Sequence, residues 1–73
     1  MLRLYTAPWC AQCKPIKKLI EAEGYDVTVI DVDTEGGGAE ATELSIRGLP
    51  TLTTTDGDRL VGPEPITKFL KEL

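Results

Sequence analysis

The sequence predicts one α/β domain over residues 1–73, with a four-stranded mixed sheet flanked by three helices in the order β-α-β-α-β-β-α. Three observations carry this expectation. A short apolar run, Leu2 to Tyr5, ends at Thr6-Ala7-Pro8 and is followed by apolar residues at helical spacing. Val27 to Val32 is β-branched nearly throughout, the composition of a strand. Asp56-Gly57 separates two short strand-like runs, which is a strong hairpin signal. With 73 residues there is room for one small core and no second domain.

The elements follow in order. Leu2 to Tyr5 is the first strand. From Cys10 or Ala11 to Glu23 the pattern is helical, with Ile16, Leu19 and Ile20 on one face and Gly24 placed as a left-handed C-cap. Pro15 lacks the amide proton an interior helical bond needs, so the first turn should be kinked or loosened there. Val27 to Val32, apolar almost without interruption, suits a sheet buried on both faces. Asp33 to Gly38, with three consecutive glycines, reads as a flexible connector; it lacks the Lys-Ser/Thr of a phosphate-binding loop.

Ala39 to Ile46 is a short helix with Ala41 and Leu44 on its inner face, and Gly48 breaks it. Thr51 to Thr55 and Arg59 to Val61 form the hairpin strands, the second at an edge. Pro65 suits the first position of the last helix, in which Ile66, Phe69, Leu70 and Leu73 make a core-facing stripe. The crossover helix between the first two strands makes them parallel; the last two are antiparallel.

Composition excludes several function classes. Eight Lys and Arg against twelve Asp and Glu leave a formal charge of −4, the wrong sign for a nucleic-acid partner. No stretch approaches the roughly 18 apolar residues of a membrane span. Met1-Leu2-Arg3-Leu4 runs straight into a strand without a signal-peptide layout, so the expected compartment is the reducing cytoplasm.

The chemistry centres on Trp9-Cys10-Ala11-Gln12-Cys13-Lys14. These are the only two cysteines, three residues apart at the start of a helix. One helical turn puts the two side chains on one face with Cβ atoms roughly 5–6 Å apart, close to disulfide geometry. A disulfide over so short a loop adds little stability, because its effect grows with loop length, so the pair is read as a redox dithiol. Cys10, at the positive helix end and with Lys14 nearby, has the setting that lowers a thiol pKa. It is therefore the expected nucleophile, with Cys13 as the resolving thiol. No further cofactor and no metal is implied.

Beyond the dithiol, the chain resembles known redox proteins along essentially its whole length. Trp9 to Lys14 resembles the Trp-Cys-x-x-Cys-Lys site of thioredoxins. Ser45-Ile46-Arg47-Gly48-Leu49-Pro50-Thr51-Leu52 is similar to the thioredoxin stretch that ends in a cis-proline. Tyr5-Thr6 and the short length look more like glutaredoxins, and Cys-x-Gln-Cys resembles the small redoxins that donate electrons to ribonucleotide reductase. The resemblance implies a thioredoxin fold and a monomeric protein-disulfide reductase, with ribonucleotide reductase among its candidate substrates. It implies a cis Leu49–Pro50 bond opposite Cys10, a backbone edge there that pairs with substrate, and Thr51 helping to hold it. Trp9 either forms part of the docking surface or packs against the loop.

Departures from these families bear on mechanism. Where thioredoxins carry a buried acid on the first strand, this chain has Leu4. Where glutaredoxins carry a Lys or Arg for glutathione, it has Ala7. At the start of the last helix Pro63 and Pro65 remove two amide donors and Glu64 adds negative charge. These differences favour a flavoprotein of the thioredoxin reductase type over glutathione as electron source. The alternatives are a glutathione-dependent glutaredoxin, a Cu(I)-binding Cys-x-x-Cys module, half of an iron–sulfur site shared between two chains, and a binding subunit with idle cysteines.

Overall fold

A computed structural model describes residues 2–73. Its elements are β1 (Leu2–Thr6), α1 (Cys13–Glu23), β2 (Val27–Asp31), α2 (Glu35–Glu43), β3 (Thr51–Thr53), β4 (Arg59–Val61) and α3 (Pro63–Lys71). The order expected from the sequence is the order observed. The four strands lie as β2-β1-β3-β4. β1 runs parallel to β2 and antiparallel to β3, and β3 is antiparallel to β4.

One face of the sheet carries the main core. Leu4 and Leu52, cross-strand partners on β1 and β3, pack with Ile16 and Ile20 of α1 and Ile66 and Leu70 of α3. The other face carries Arg3 and Tyr5 and is met by α2. Side-chain alternation along β1 makes this division. Gly24 ends α1 at φ 67°, its amide donating to the Ile20 carbonyl at 2.9 Å. Among the described residues no helix is long and apolar enough to cross a membrane.

Several element boundaries differ from the sequence reading, each for a physical reason. Helix α1 begins at Cys13, not at Cys10 or Ala11. That start puts Pro15 third in the helix, where an amide has no intrahelical partner to lose. Strand β2 is not buried on both faces. It is an outer strand of the sheet, and Val29 is 43% exposed.

The largest difference is α2, which runs Glu35–Glu43 where a connector was expected as far as Gly38. Thr34 caps it, its Oγ1 accepting from the Gly37 amide at 3.0 Å. Gly37 and Gly38 are there for close approach rather than flexibility. A Cβ on Gly38 would lie 2.8 Å from the Val32 carbonyl oxygen. A Cβ on Gly37 would lie 2.7 Å from Thr34 Oγ1 and run into the Asp31 carbonyl.

Helix α2 also stops before Ile46, and Leu44 is exposed rather than inner. Ser45 takes a left-handed φ of 57°, and the Ile46 amide returns to the Ala41 carbonyl at 2.8 Å. Strand β3 ends at Thr53 because Thr54 already belongs to the turn, its amide donating to Asp58 O at 3.0 Å. Helix α3 starts at Pro63, with Pro65 third. Ile66 and Leu70 are fully buried, while Leu73 lies past the helix end and is 65% exposed, outside the expected stripe.

Candidate functional site

The site forms where β1 ends and α1 begins. Thr6 is the last residue of β1, and its carbonyl accepts from the Val32 amide at 2.9 Å, tying this corner to the end of β2. The chain then turns through Ala7, Pro8 and Trp9, with the Cys10 amide donating to Ala7 O at 3.1 Å. A second turn, closed by Cys13 N–H to Cys10 O at 3.2 Å, leads into α1.

Cys10 is thus not on the helix, as the spacing suggested, but in the turn before it, three residues ahead of Cys13. The two cysteines are joined as a disulfide, with Cα atoms 5.4 Å apart. Cys10 Sγ is bonded to the first residue of α1 and so stays at the positive end of that helix. Cys10 keeps 7% of its surface exposed and Cys13 none. Ala7, Cys10 and Cys13 form a small buried cluster with Val32 and Leu49 against it.

A groove of about 310 Å³ opens beside Cys10. Val32, Ala41, Ile46 and Leu49 give it apolar walls, with Trp9 and Arg47 also lining it. Trp9 is 69% exposed, and its Nε1 donates to Asp33 Oδ1 at 3.1 Å. Trp9 thus lines the groove and is fastened to the β2–α2 loop.

The Leu49–Pro50 peptide bond is cis. Pro50 is buried and Leu49 half-buried at the groove. The Gly62 amide donates to the Pro50 carbonyl at 3.0 Å, joining this loop to the start of α3. Thr51 does not reach the groove surface, as its expected part in holding substrate would require. It is buried at 1% exposure, paired with both Tyr5 and Val61, and its hydroxyl donates to the Gly48 carbonyl. Its part is to hold the loop that carries Leu49. Lys14 is exposed on the second residue of α1, outside the groove lining.

The position that carries a buried acid in thioredoxins is occupied by Leu4, fully buried among apolar neighbours. Among the described residues, the buried polar side chains besides Tyr5 and the two cysteines are Thr6 and Thr51, neither of them titratable. Among the described residues no group of three or more His, Cys, Asp and Glu is placed to hold a metal ion. The sequence reading missed Asp33, Val32, Ala41, Ile46 and Arg47. Ile46 and Arg47 lie in the stretch that resembles thioredoxins, which is the signal that points to them. Asp33 has no such signal, because its bond to Trp9 spans 24 residues.

A thioredoxin family model matches residues 1–72. A protein of Archaeoglobus fulgidus described as a probable thioredoxin is 33% identical over 66 residues, covering 85% of this chain and 72% of that protein. The glutaredoxin-like NrdH-redoxin of Escherichia coli is 31% identical and superposes with a TM-score of 0.66 over 92% of this chain and 91% of its own. A crystal structure of a thioredoxin-like protein superposes over the whole of both chains with a TM-score of 0.75, at 21% identity, a likeness of fold. The chain belongs to the thioredoxin family and is a thiol-disulfide oxidoreductase with its Cys-x-x-Cys site at Cys10 and Cys13.

Proposed function

We propose that this protein reduces disulfides in polypeptide substrates, with Cys10 as nucleophile and Cys13 as resolving thiol, and is recharged by a flavoprotein of the thioredoxin reductase type. The observation that carries the reading is that Cys10, and not the fully buried Cys13, lines the apolar groove. The Cys10 thiolate attacks one sulfur of the substrate disulfide, and the other sulfur leaves as a thiolate that takes a proton from solvent. The Cys13 thiolate then attacks Cys10 Sγ, closing the Cys10–Cys13 disulfide and releasing the second substrate thiol. Two electrons have passed to the substrate, and the reductase returns two to the dithiol.

Two features support a flavoprotein over glutathione. Ala7 is buried against the cysteines, so no cation stands at that place for a glutathione carboxylate. At the start of α3, Pro63 and Pro65 occupy the first and third positions, which leaves the Glu64 amide as the one donor among the three, beside the Glu64 carboxylate. Ribonucleotide reductase is the substrate class suggested by the resemblance of Cys10-Ala11-Gln12-Cys13 to the site of the small redoxins that donate electrons to it. The reducing cytoplasm is the compartment that suits such a donor.

The test is NADPH-driven insulin reduction with two electron sources run side by side, a thioredoxin reductase in one and glutathione with its reductase in the other. Turnover in the first arm alone is expected. Turnover in the second alone would make the protein a glutaredoxin. Silence in both would remove the general-reductase reading.

A further inference from the structure

Helix α2 walls the groove beside Cys10, yet its sequence gives it little apolar hold on the sheet. Its buried residues are Gly37 and Ala41, small side chains that bury little area. What fastens it is polar. Arg3 and Tyr5, two residues apart on one face of β1, both reach Glu40. The Arg3 guanidinium is ion-paired to Glu40 Oε1, and the Tyr5 hydroxyl donates to the same oxygen at 3.1 Å.

One turn on, at the C-terminal end of α2, Arg59 of β4 donates from Nη2 to the Leu44 carbonyl at 2.6 Å and from Nη1 to Ser45 O at 3.4 Å. A cation there meets carbonyls the helix leaves unpaired and the negative end of its dipole. Strand register puts the two arginines in one row, since Arg3 pairs with Thr53 and Thr53 with Arg59. Between these two fastenings the packing is open. A cavity of about 390 Å³ lies there, lined by Arg3, Tyr5, Leu44, Thr53 and Arg59 among others. The chain then leaves α2 through the left-handed Ser45 and runs directly into Ile46, Arg47 and Leu49, which line the groove.

We infer that Glu40 and Arg59 are positioning residues: by clamping the C-terminal half of α2 and its exit to the sheet face opposite the main core, they set the aperture of the groove in which a polypeptide substrate lies beside Cys10. The inference rests on the proposed reading that this groove receives the substrate chain. Its consequence is selective. A polypeptide touches the groove walls on both sides of its disulfide, so displacement of α2 misaligns it. A small disulfide needs access to Cys10 alone.

The experiment uses the full chain, reduced and freed of reductant, mixed separately with insulin and with dithiobis-nitrobenzoate. Wild type is compared with Glu40→Ala, Glu40→Gln, Arg59→Ala and Arg59→Lys. Misplacement of a positioning wall costs on the order of 10- to 100-fold. Insulin reduction by the two alanine variants is expected to slow by about tenfold or more on that scale, while the small disulfide reacts within about twofold of wild type. Arg59→Lys keeps the cation at the helix end and Glu40→Gln keeps an acceptor for Tyr5, so both should recover part of the insulin rate.

Equal slowing of both substrates would overturn the inference, since it marks a general loss of fold or of Cys10 reactivity. Unchanged insulin rates in the alanine variants would overturn it too. If an alanine variant does not fold, as thermal melting would show, the comparison of Arg59→Lys and Glu40→Gln with wild type carries the same test. A further variant, Ile46→Ala, separates this inference from the groove reading. If it leaves insulin reduction untouched, the groove is not the substrate site and both fail. If it slows insulin while the clamp variants do not, the positioning inference fails alone.

Discussion

The indole Nε1 of Trp9 donates to Asp33 Oδ1 at 3.1 Å, so a largely exposed aromatic ring in the groove beside Cys10 is tied to the loop that follows β2. Removing the carboxylate should free the ring without unfolding the domain. An exposed hydrogen bond is worth about 0.5–1.5 kcal/mol. Asp33→Ala should therefore lower stability by no more than about 1.5 kcal/mol. Its larger effect falls on substrate, with KM for insulin raised several-fold and kcat little changed. Trp9 is the only tryptophan, so a changed emission spectrum would report the freed ring directly. An unchanged spectrum with unchanged KM would mean that the bond does not orient it.

The difference in exposure between the two cysteines leads to a trapping experiment. Cys13→Ser removes the resolving thiol and leaves Cys10 to attack, so mixed disulfides with substrate should accumulate and be visible on non-reducing gels. Cys10→Ser leaves a buried thiol that substrate cannot reach and should trap almost nothing. Equal trapping by both variants would reverse the assignment of roles.

Adjacent glycines in α2 should respond in opposite directions. Gly36 has open space where a Cβ would stand, and alanine there gains about 0.5–1 kcal/mol by reducing the freedom of the unfolded chain. Gly37 has the Asp31 carbonyl in that place, and the neighbour is backbone that cannot rotate away. Gly37→Ala should cost about 1–3 kcal/mol, as overpacking does. In a domain of this size each kcal/mol moves Tm by roughly 4–8 °C, so thermal melts of the two variants should separate clearly.

Tyr5 should ionise late. Burial first, and then its hydrogen bond to Glu40, raise its pKa above the ordinary phenol value of 10.0. A raised folded pKa means that the folded state holds the proton more tightly than the unfolded chain does. Its contribution to stability is complete below the unfolded value and is lost as pH rises through the folded one. Phenolate absorbance during an alkaline titration should show a tyrosine ionising above the ordinary range, and Tyr5→Phe should remove that step and flatten the alkaline loss of stability. A step that persists in Tyr5→Phe would assign it elsewhere.

How far the sequence reached can be judged element by element. Cys10 and Cys13, the Gly24 cap, the Asp56-Gly57 turn and the order of the seven elements were all legible, because each rests on residues close together in the chain or on a strong periodic pattern. Helix α2 was not. Three glycines in a row have poor helix propensity. They fold as a helix capped by Thr34, and α2 passes so close to the end of β2 that side chains would not fit at Gly37 and Gly38.

The same division runs through the site. Chemistry was set by local sequence: two thiols three residues apart, next to a helix start that Pro15 delays to Cys13. The surface presented to a substrate was set by contacts across the fold. Asp33 reaches Trp9 over 24 positions, Glu40 reaches Tyr5 over 35, and Arg59 reaches the Leu44 carbonyl at the end of α2 over 15. Such pairs are specified by strand order and register, which no short window of sequence contains. Hence the cysteine pair could be named from the chain, while the walls of the groove beside it follow from how α2 is laid against the sheet.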